Sequence, residues 1–360
     1  MKEINTVLQI QEFTENNSEE WDDFVNSHPE GRFSQLTGYK KVIEQTYGYE
    51  ASYWLFRDSY RKVIGVFPSF VKRSKYLGNK LVSQPFCEYG GLLIEGIPDG
   101  ESLSLIKSKI EELLIQYNLP YLEVHGGTGL CPDCTRAVFR EKPLHQYSLL
   151  TLASADDVWQ KMDRMARKAV RKAKNSGLEY YQETTESSIT EDFYPLYLLS
   201  MKRFGTPPHP QSFFLNCLRY LPRYMKLFLV RDGQRIVSTL LGFTTGKRVH
   251  IISTASDESY WEKRPNDLAH WEFIRWAADK GYQIFDFGPV RYEGQRRFKE
   301  KWGAESFDYV YFFLPLAGGK PEKEPTYSFG AKAFASLWKN LMPFRLTGIM
   351  GPWFRRQLGD

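Results

Sequence analysis

The chain has 360 residues, 25% of them charged and 42% hydrophobic, with 27 glycines and 19 prolines in no fixed period, which excludes wholesale disorder, a collagen-like repeat and a coiled-coil rod. This length exceeds what one hydrophobic core usually serves, so two domains of about 150 residues each are expected. Lys and Arg total 48 against 43 Asp and Glu, a net charge of +5, too mild for a surface given wholly to nucleic acid, so any basic site must be local.

The first thirteen residues include Lys2, Glu3, Gln9, Gln11 and Glu12 and no apolar stretch, which predicts no secretory signal. The longest apolar run, near 309–317, is about half of the ~18 residues a spanning helix needs. Both point to a cytoplasmic protein, peripheral at most at the inner face of the membrane. Cys87, Cys131, Cys134 and Cys217 are too few in so long a chain for a disulfide framework, and reduced thiols are expected.

In chain order, helices are predicted over 21–27 and 37–47. Strands follow over 52–57 and 63–71, joined by a turn at Asp58-Ser59, then a helix over 101–117 and a strand over 121–124. The second half repeats this order. Strands over 226–231 and 235–244 flank Asp232-Gly233, a helix over 267–280 is stopped by Gly281, and a strand covers 283–287. Leu55-Phe56-Arg57-Asp58 answers to Leu229-Val230-Arg231-Asp232, a sign of internal duplication. A hairpin, a helix and a further strand make a mixed α/β sheet in each half. The expected domains are 1–150 and 151–317. A linker, Gly318-Gly319-Lys320-Pro321-Glu322-Lys323-Glu324-Pro325, then opens a C-terminal appendage, 318–360.

Residues 154–177 read as one basic helix, with Ser154 and Asp157 as its capping pattern and Gly177 as its stop. Arg164, Arg167, Lys168 and Arg171 fall within an arc of roughly 100°, opposite Val158, Met162, Met165, Ala169 and Ala173. Cations at this spacing repel one another, so a phosphate-bearing partner is expected; a solvated face is the plain alternative.

The strand over 283–287 runs into a loop where α/β sheets place ligands. Arg291 and Tyr292 lie in it, followed by Phe298, Lys299 and Trp302. Lys299, between two aromatics, can present its ammonium to an oxyanion formed in acyl transfer, or be a surface lysine beside the core. Asp286 either orients an attacking amine or caps the next turn. Arg203 and Thr206 belong to a proline-stiffened loop that walls a cleft or merely stops a helix.

Phe285-Asp286-Phe287-Gly288, Gly294, Phe298-Lys299-x-x-Trp302-Gly303, the basic helix, the segment from Arg203 to Pro207, and Ser83-x-Pro85-Phe86 with Tyr89-Gly90-Gly91 together resemble the FemAB-type peptidyltransferases. Within them the match is to the FemAB-like group found beside exosortase and polysaccharide loci, and it covers 21–311. The resemblance implies two tandem acetyltransferase-like (GNAT) domains and transfer of an aminoacyl group from aminoacyl-tRNA to an amine of a peptidoglycan precursor, with no metal or cofactor. It implies that Lys299 stabilises the tetrahedral intermediate; Asp286, by its own place at the strand end, is the second catalytic candidate. The resemblance links Arg164, Arg167 and Arg171 to a lipid or nucleotide diphosphate, and Lys168 on the same arc, with Arg203, Thr206, Arg291, Tyr292, Phe298 and Trp302, completes the expected substrate-binding residues. The coiled-coil arm that some staphylococcal-type members insert for tRNA contact has no counterpart here, since no heptads are sustained.

Cys131-Pro132-Asp133-Cys134 lacks nearby partners for a four-ligand zinc site. His125-Gly126-Gly127-Thr128-Gly129 lacks the Gly-Lys-Ser/Thr ending of a phosphate loop and reads as a turn. The pyrophosphate signature of ordinary acetyltransferases is not evident. The tail over 334–358 mixes Leu, Ile, Phe and Trp with Lys and Arg, which suits either an anionic membrane surface or packing on the body. Two alternatives stand beside aminoacyl transfer. One is an acyl-CoA-dependent N-acyltransferase acting on an exopolysaccharide or glycolipid amine; the other is a non-catalytic module binding anionic glycolipid or RNA.

Overall fold

The computed structural model describes residues 3–4, 8–75, 78–127, 130–316 and 329–358. The expected linker over 318–325 lies outside the described residues, as do Thr128 and Gly129 of the expected turn. The chain forms two compact units, one from 1–144, 309–326 and 356–360, the other from 145–308 and 327–355. Each draws on separated stretches of chain, where the sequence reading gives contiguous domains.

In the first unit, α1 (Ser18–Ser27) buries Trp21, Phe24 and Val25 at helical spacing and α2 (Thr37–Tyr47) buries Tyr39, Val42 and Ile43. The Asp22 carboxylate joins them by accepting the Thr37 backbone N–H at 2.7 Å and its hydroxyl at 2.9 Å. Its longer strands are β1 (Gln9–Glu12), β2 (Glu50–Arg57), β3 (Val63–Ser74), β4 (Gly78–Val82) and β5 (Tyr121–His125). They pair in that order, antiparallel except for β4 on β5, which is parallel. Helix α3 (Gly100–Gln116), capped by Asp99, is the crossover that the parallel pair requires. The short helix α4 (Pro132–Val138) begins at Cys131.

The second unit repeats this frame. Its strands are β6 (Arg140–Thr151), β7 (Glu179–Gln182), β8 (Met225–Asp232), β9 (Arg235–Thr245), β10 (Arg248–Ser256) and β11 (Ile284–Val290). The order is β7-β8-β9-β10-β11-β6, and again one pair, β10 on β11, is parallel. The last strand, β12 (Glu305–Pro315), closes the first unit, with Tyr311 to Pro315 antiparallel to β5. The closing strand of the second unit is the end of β6, with Leu149 to Thr151 opposite Asp286 to Ile284. The crossover helix here is α9 (Pro265–Asp279), buried on nearly every side.

Two expectations change. Residues 154–177 form two helices, α5 (Ala155–Lys161) and α6 (Arg164–Asn175). Met162 is extended and buried, and Asp163 gives its backbone N–H to the Lys301 carbonyl at 2.8 Å, so the helical ladder cannot pass through it. Asp163 instead caps α6, accepting the Met165 N–H at 2.5 Å. The buried side of α6 is Ala166, Val170 and Ala173, while Met165 faces out. Cys131 and Cys134 are joined in a disulfide rather than reduced. The first turn of α4 brings them together, with Cys131 Sγ accepting the Cys134 N–H at 3.1 Å. Cys87 and Cys217 stand outside the disulfide. Among the described residues no helix is long and apolar enough to cross a membrane.

The remaining helices of the second unit are α7 (Tyr194–Phe204), α8 (Gln211–Tyr220), α10 (Glu293–Glu300), α11 (Phe329–Leu341) and α12 (Phe344–Leu358), whose last three residues belong to the first unit. Two of this unit's buried histidines, His209 and His270, have lowered pKa values. Burial pushes the His270 pKa down to about 3, outweighing the hydrogen bond its Nδ1 gives to the Asn266 carbonyl, and Lys301 and Lys299 deepen the fall. Burial likewise lowers His209 well below the usual imidazole value, with Arg355 adding to it.

The cap and the histidines yield two expectations for stability. Asp163→Ala should cost about 1 kcal/mol in urea unfolding at neutral pH. A null effect would contradict the break in the helix. The histidines stay neutral in the native state, while the unfolded chain takes up protons below about pH 6.5. Stability is therefore fully present above that pH and falls as pH drops toward the folded His270 value of about 3, by about 1.4 kcal/mol per pH unit for that histidine, with His209 adding in the same direction. Unfolding across pH 7 to 4 should show this slope, made shallower in His270→Gln.

Candidate active site

The place where the second sheet opens is set by β10 and β11. Their parallel register covers three pairs, Arg248 with Ile284, Val249 with Phe285 and His250 with Asp286. Both strands continue, to Ser256 and Val290, but the ladder between them stops. At the same point β11 breaks register against β6, between Asp286 and Pro289. Gly288 there has φ +71°, a left-handed value that side chains disfavour. An opened pair of parallel strands beside a crossover helix is where an α/β sheet offers its backbone to a ligand.

Asp286 holds this bulge. It is fully buried, and its Oδ1 accepts the Gly288 N–H at 2.8 Å. Its Oδ2 lies 3.3 Å from His250 Nδ1 and 3.6 Å from Arg248 Nη1, both side chains buried as well. Strand alternation puts Arg248 and His250 on one face of β10, and the parallel register sets them beside Asp286.

From the bulge the chain turns into α10. Lys299, on its inner side, is buried and donates from Nζ to the carbonyls of Gly288 at 2.8 Å and Pro289 at 2.6 Å. Two such charge-assisted bonds pin the ammonium at the mouth of the bulge. Trp302 is fully buried and Phe298 half-buried, and the His270 ring lies 4.9 Å from Phe298 and 6.1 Å from Trp302. Lys301 pairs with Asp267, lies 4.1 Å over the Phe298 ring, and anchors the start of α6 through Asp163.

The cations of the basic helix divide by task. Arg167 Nη1 donates to the carbonyls of Trp159, Gln160 and Met162 at 2.8 to 3.1 Å, tying off the end of α5. The Arg171 guanidinium lies 5.5 Å over the Trp159 ring. Arg164 and Lys168 are exposed. Thus Asp286, Lys299, Phe298 and Trp302 share one neighbourhood with the start of α6, and Arg167 is spent on structure. Arg203 pairs with Glu258 at 3.1 Å and lies 4.9 Å over Trp261, on the segment between β10 and α9. The Thr206 N–H closes α7 onto the Met201 carbonyl. The backbone N–H of Arg291 is held by Gln295 Oε1, and the exposed Tyr292 opens α10. Arg248, His250 and Asp267 were not anticipated. The first two show in sequence only as polar residues alternating within an apolar strand.

The corresponding place in the first unit is filled by the chain itself. Past the pairs Leu81 with Leu122 and Val82 with Glu123, the segment over 83–91 packs in. It is held by Tyr39 Oη on the Pro85 carbonyl, Ser34 Oγ on Tyr89 and Gln35 Nε2 on Gly91. Beneath it Glu123 pairs with Lys80 and lies 2.8 Å from His125 Nε2. Burial alone would raise the Glu123 pKa, but Lys80 and His125 outweigh it and keep the carboxyl ionised. The His125 ring stacks on Tyr311 at 4.1 Å. No three His, Cys, Asp or Glu side chains among the described residues are grouped to hold a metal ion.

The profile of the "Acetyltransferase (GNAT) domain" family matches residues 160–300, the stretch that contains the opened strands and α10. No curated protein sequence matches the chain. Among solved structures the fold is similar to that of FemX, at 16% identity and a TM-score of 0.67 over 86% of this chain and 98% of that one. It is also similar to the C-terminal domain of an Agrobacterium fabrum protein assigned as a lysylphosphatidylglycerol synthetase, at 11% identity and 0.56 over 84% and 93%. A third is a tandem GNAT protein from the clavulanic acid biosynthesis pathway, at 10% and 0.52 over 86% and 99%. The expected architecture of two tandem GNAT-like units with mixed sheets is therefore the observed one. With a GNAT domain over 160–300 and a fold similar to FemX of the FemAB family, the chain is an acyltransferase of GNAT fold.

Proposed function

We propose that the chain transfers an aminoacyl group from aminoacyl-tRNA to an amine of a cell-envelope precursor of the peptidoglycan class, forming an amide bond. The observation that carries this is Lys299, held by two carbonyls at the mouth of an opened parallel strand pair. The acceptor amine attacks the ester carbonyl, a C–N bond forms, and the carbonyl oxygen becomes an oxyanion facing the ammonium. The ester C–O bond then breaks, and the tRNA leaves with its hydroxyl restored by the proton lost from the amine. An ammonium already fixed in place need not reorganise as charge develops, which is how such a donor lowers a barrier. Asp286 positions it at one remove, by holding the bulge whose carbonyls hold Lys299.

The segment between β10 and α9 favours tRNA over acyl-CoA as donor. In ordinary acetyltransferases a glycine-rich turn here cradles a diphosphate with backbone N–H groups. This chain has Glu258 and Glu262, both exposed, and the N–H groups of Asp267 and Leu268 are turned back onto the Arg264 carbonyl. Exposed Arg164 and Lys168, with Arg171 beside them, offer the phosphate contacts of the acceptor instead. The acceptor class follows the similarity to FemX and to the lysylphosphatidylglycerol synthetase domain, and Arg203, Thr206, Arg291 and Tyr292 are proposed to border it. An acyl-CoA donor acting on an exopolysaccharide or glycolipid amine is the second reading, favoured by the family profile itself.

Lys299→Ala should lower turnover by on the order of 10². It should also destabilise the fold by about 1–3 kcal/mol, since two buried carbonyls lose their donor. Normal turnover in the folded variant would remove Lys299 from the chemistry. The donor is settled by supplying purified protein and a soluble nucleotide-linked precursor with either labelled aminoacyl-tRNA or labelled acetyl-CoA. Label should pass from the tRNA alone, and passage from acetyl-CoA alone would establish the second reading.

A further inference from the structure

The two C-terminal helices carry an apolar face that the transfer reaction does not use. Helix α12 packs by its small side. Thr347 and Gly351 are buried, and a Cβ at Gly351 would lie 2.3 Å from Pro208 Cδ, so the helix can approach this closely only with glycine there. At about 100° per residue, Leu346, Ile349, Met350 and Trp353 fall within roughly 100° on the opposite side. All four are exposed, Ile349 to 73%. Phe344 at the start of α12, and Leu337 and Leu341 on α11, extend the exposure.

Scattered exposed apolar residues are ordinary, but seven within 337–353 form a patch that asks for an occupant. Charge says which. Residues 329–358 include Lys332, Lys339, Arg345, Arg355 and Arg356 and not one Asp or Glu. Lys339 and Arg345 are exposed beside the patch. Apolar and aromatic side chains on one face, with only cations among the charged residues of these two helices, match the acyl–headgroup boundary of an anionic bilayer. Pro352 within the 15-residue α12 suits a helix lying in that plane rather than crossing it.

We infer that α11 and α12 dock the protein on an anionic phospholipid surface, with Leu341, Ile349 and Trp353 entering the interface and Lys339 and Arg345 meeting the headgroups. This stands on the two helices alone and does not rest on the aminoacyl-transfer reading.

The test is co-sedimentation of the full chain with vesicles of phosphatidylethanolamine and phosphatidylglycerol, and with vesicles of phosphatidylcholine alone, across a salt series. Binding to the anionic vesicles should exceed that to the neutral ones by about tenfold or more and weaken with salt. Leu341→Glu with Ile349→Glu should weaken it at least about tenfold, leaving the thermal midpoint unchanged because both positions are exposed. Lys339→Glu with Arg345→Glu should remove the preference for phosphatidylglycerol and serves should the first pair not fold. No binding to anionic vesicles, or full binding by both variants, overturns the inference. So does a concentration-dependent dimer that the Leu341 and Ile349 changes abolish, which would give the face to a second copy.

Discussion

The candidate site of the second unit depends on a parallel ladder that stops after three pairs. Pairing along the full length of β10 and β11 would satisfy both strands and leave a closed sheet. Ending it at His250 and Asp286, with a left-handed glycine two residues on, turns backbone carbonyls toward Lys299. The bulge is stable because a fully buried carboxylate accepts its N–H and has two cationic or titratable neighbours. Neutralising Asp286 would leave Arg248 as a buried charge deprived of its carboxylate, an arrangement far costlier than an apolar core. The opening is thus maintained by burial of charge.

The two units show one frame put to different ends. In the main sheet of both there are a hairpin, a crossover helix and a parallel pair. In the first, the chain over 83–91 seals the place that the second leaves open, and a Lys80–Glu123–His125 chain stiffens it. A duplicated fold has two such places, and one suffices for a single transfer. Sealing the other converts a potential cleft into core, consistent with the rule that function resides in a site and not in the fold that bears it.

Much of this was legible in the sequence. The hairpins around Asp58 and Asp232, the helix before each final strand and the motif from Phe298 to Gly303 all announce themselves through local turn chemistry and periodicity. The break at Asp163 did not, because it is decided by a backbone hydrogen bond that Asp163 donates to the carbonyl of Lys301, far away in the chain. Lys299 was recognisable as special, but its carbonyl partners were not, since they exist only once β11 has bulged. Strands β1, β4, β6, β7, β10 and β12 were not anticipated as strands. Without β10 the charged pair Arg248 and His250 had no neighbour to meet, and the exchange of closing strands depends on β6 and β12, whose partners are remote in sequence.

That exchange bears on how the protein is made. The first unit completes its sheet with Tyr311 to Pro315, which pair with Tyr121 to His125. A chain emerging from the ribosome holds the first five strands with β5 still an uncovered edge until almost the whole second half has been synthesised. Contacts so distant in sequence form slowly, and an unpaired edge is a template for association with other chains. The nascent first unit should therefore rely on chaperone cover, and a protein cut before residue 309 would be expected to aggregate rather than to persist as a folded half.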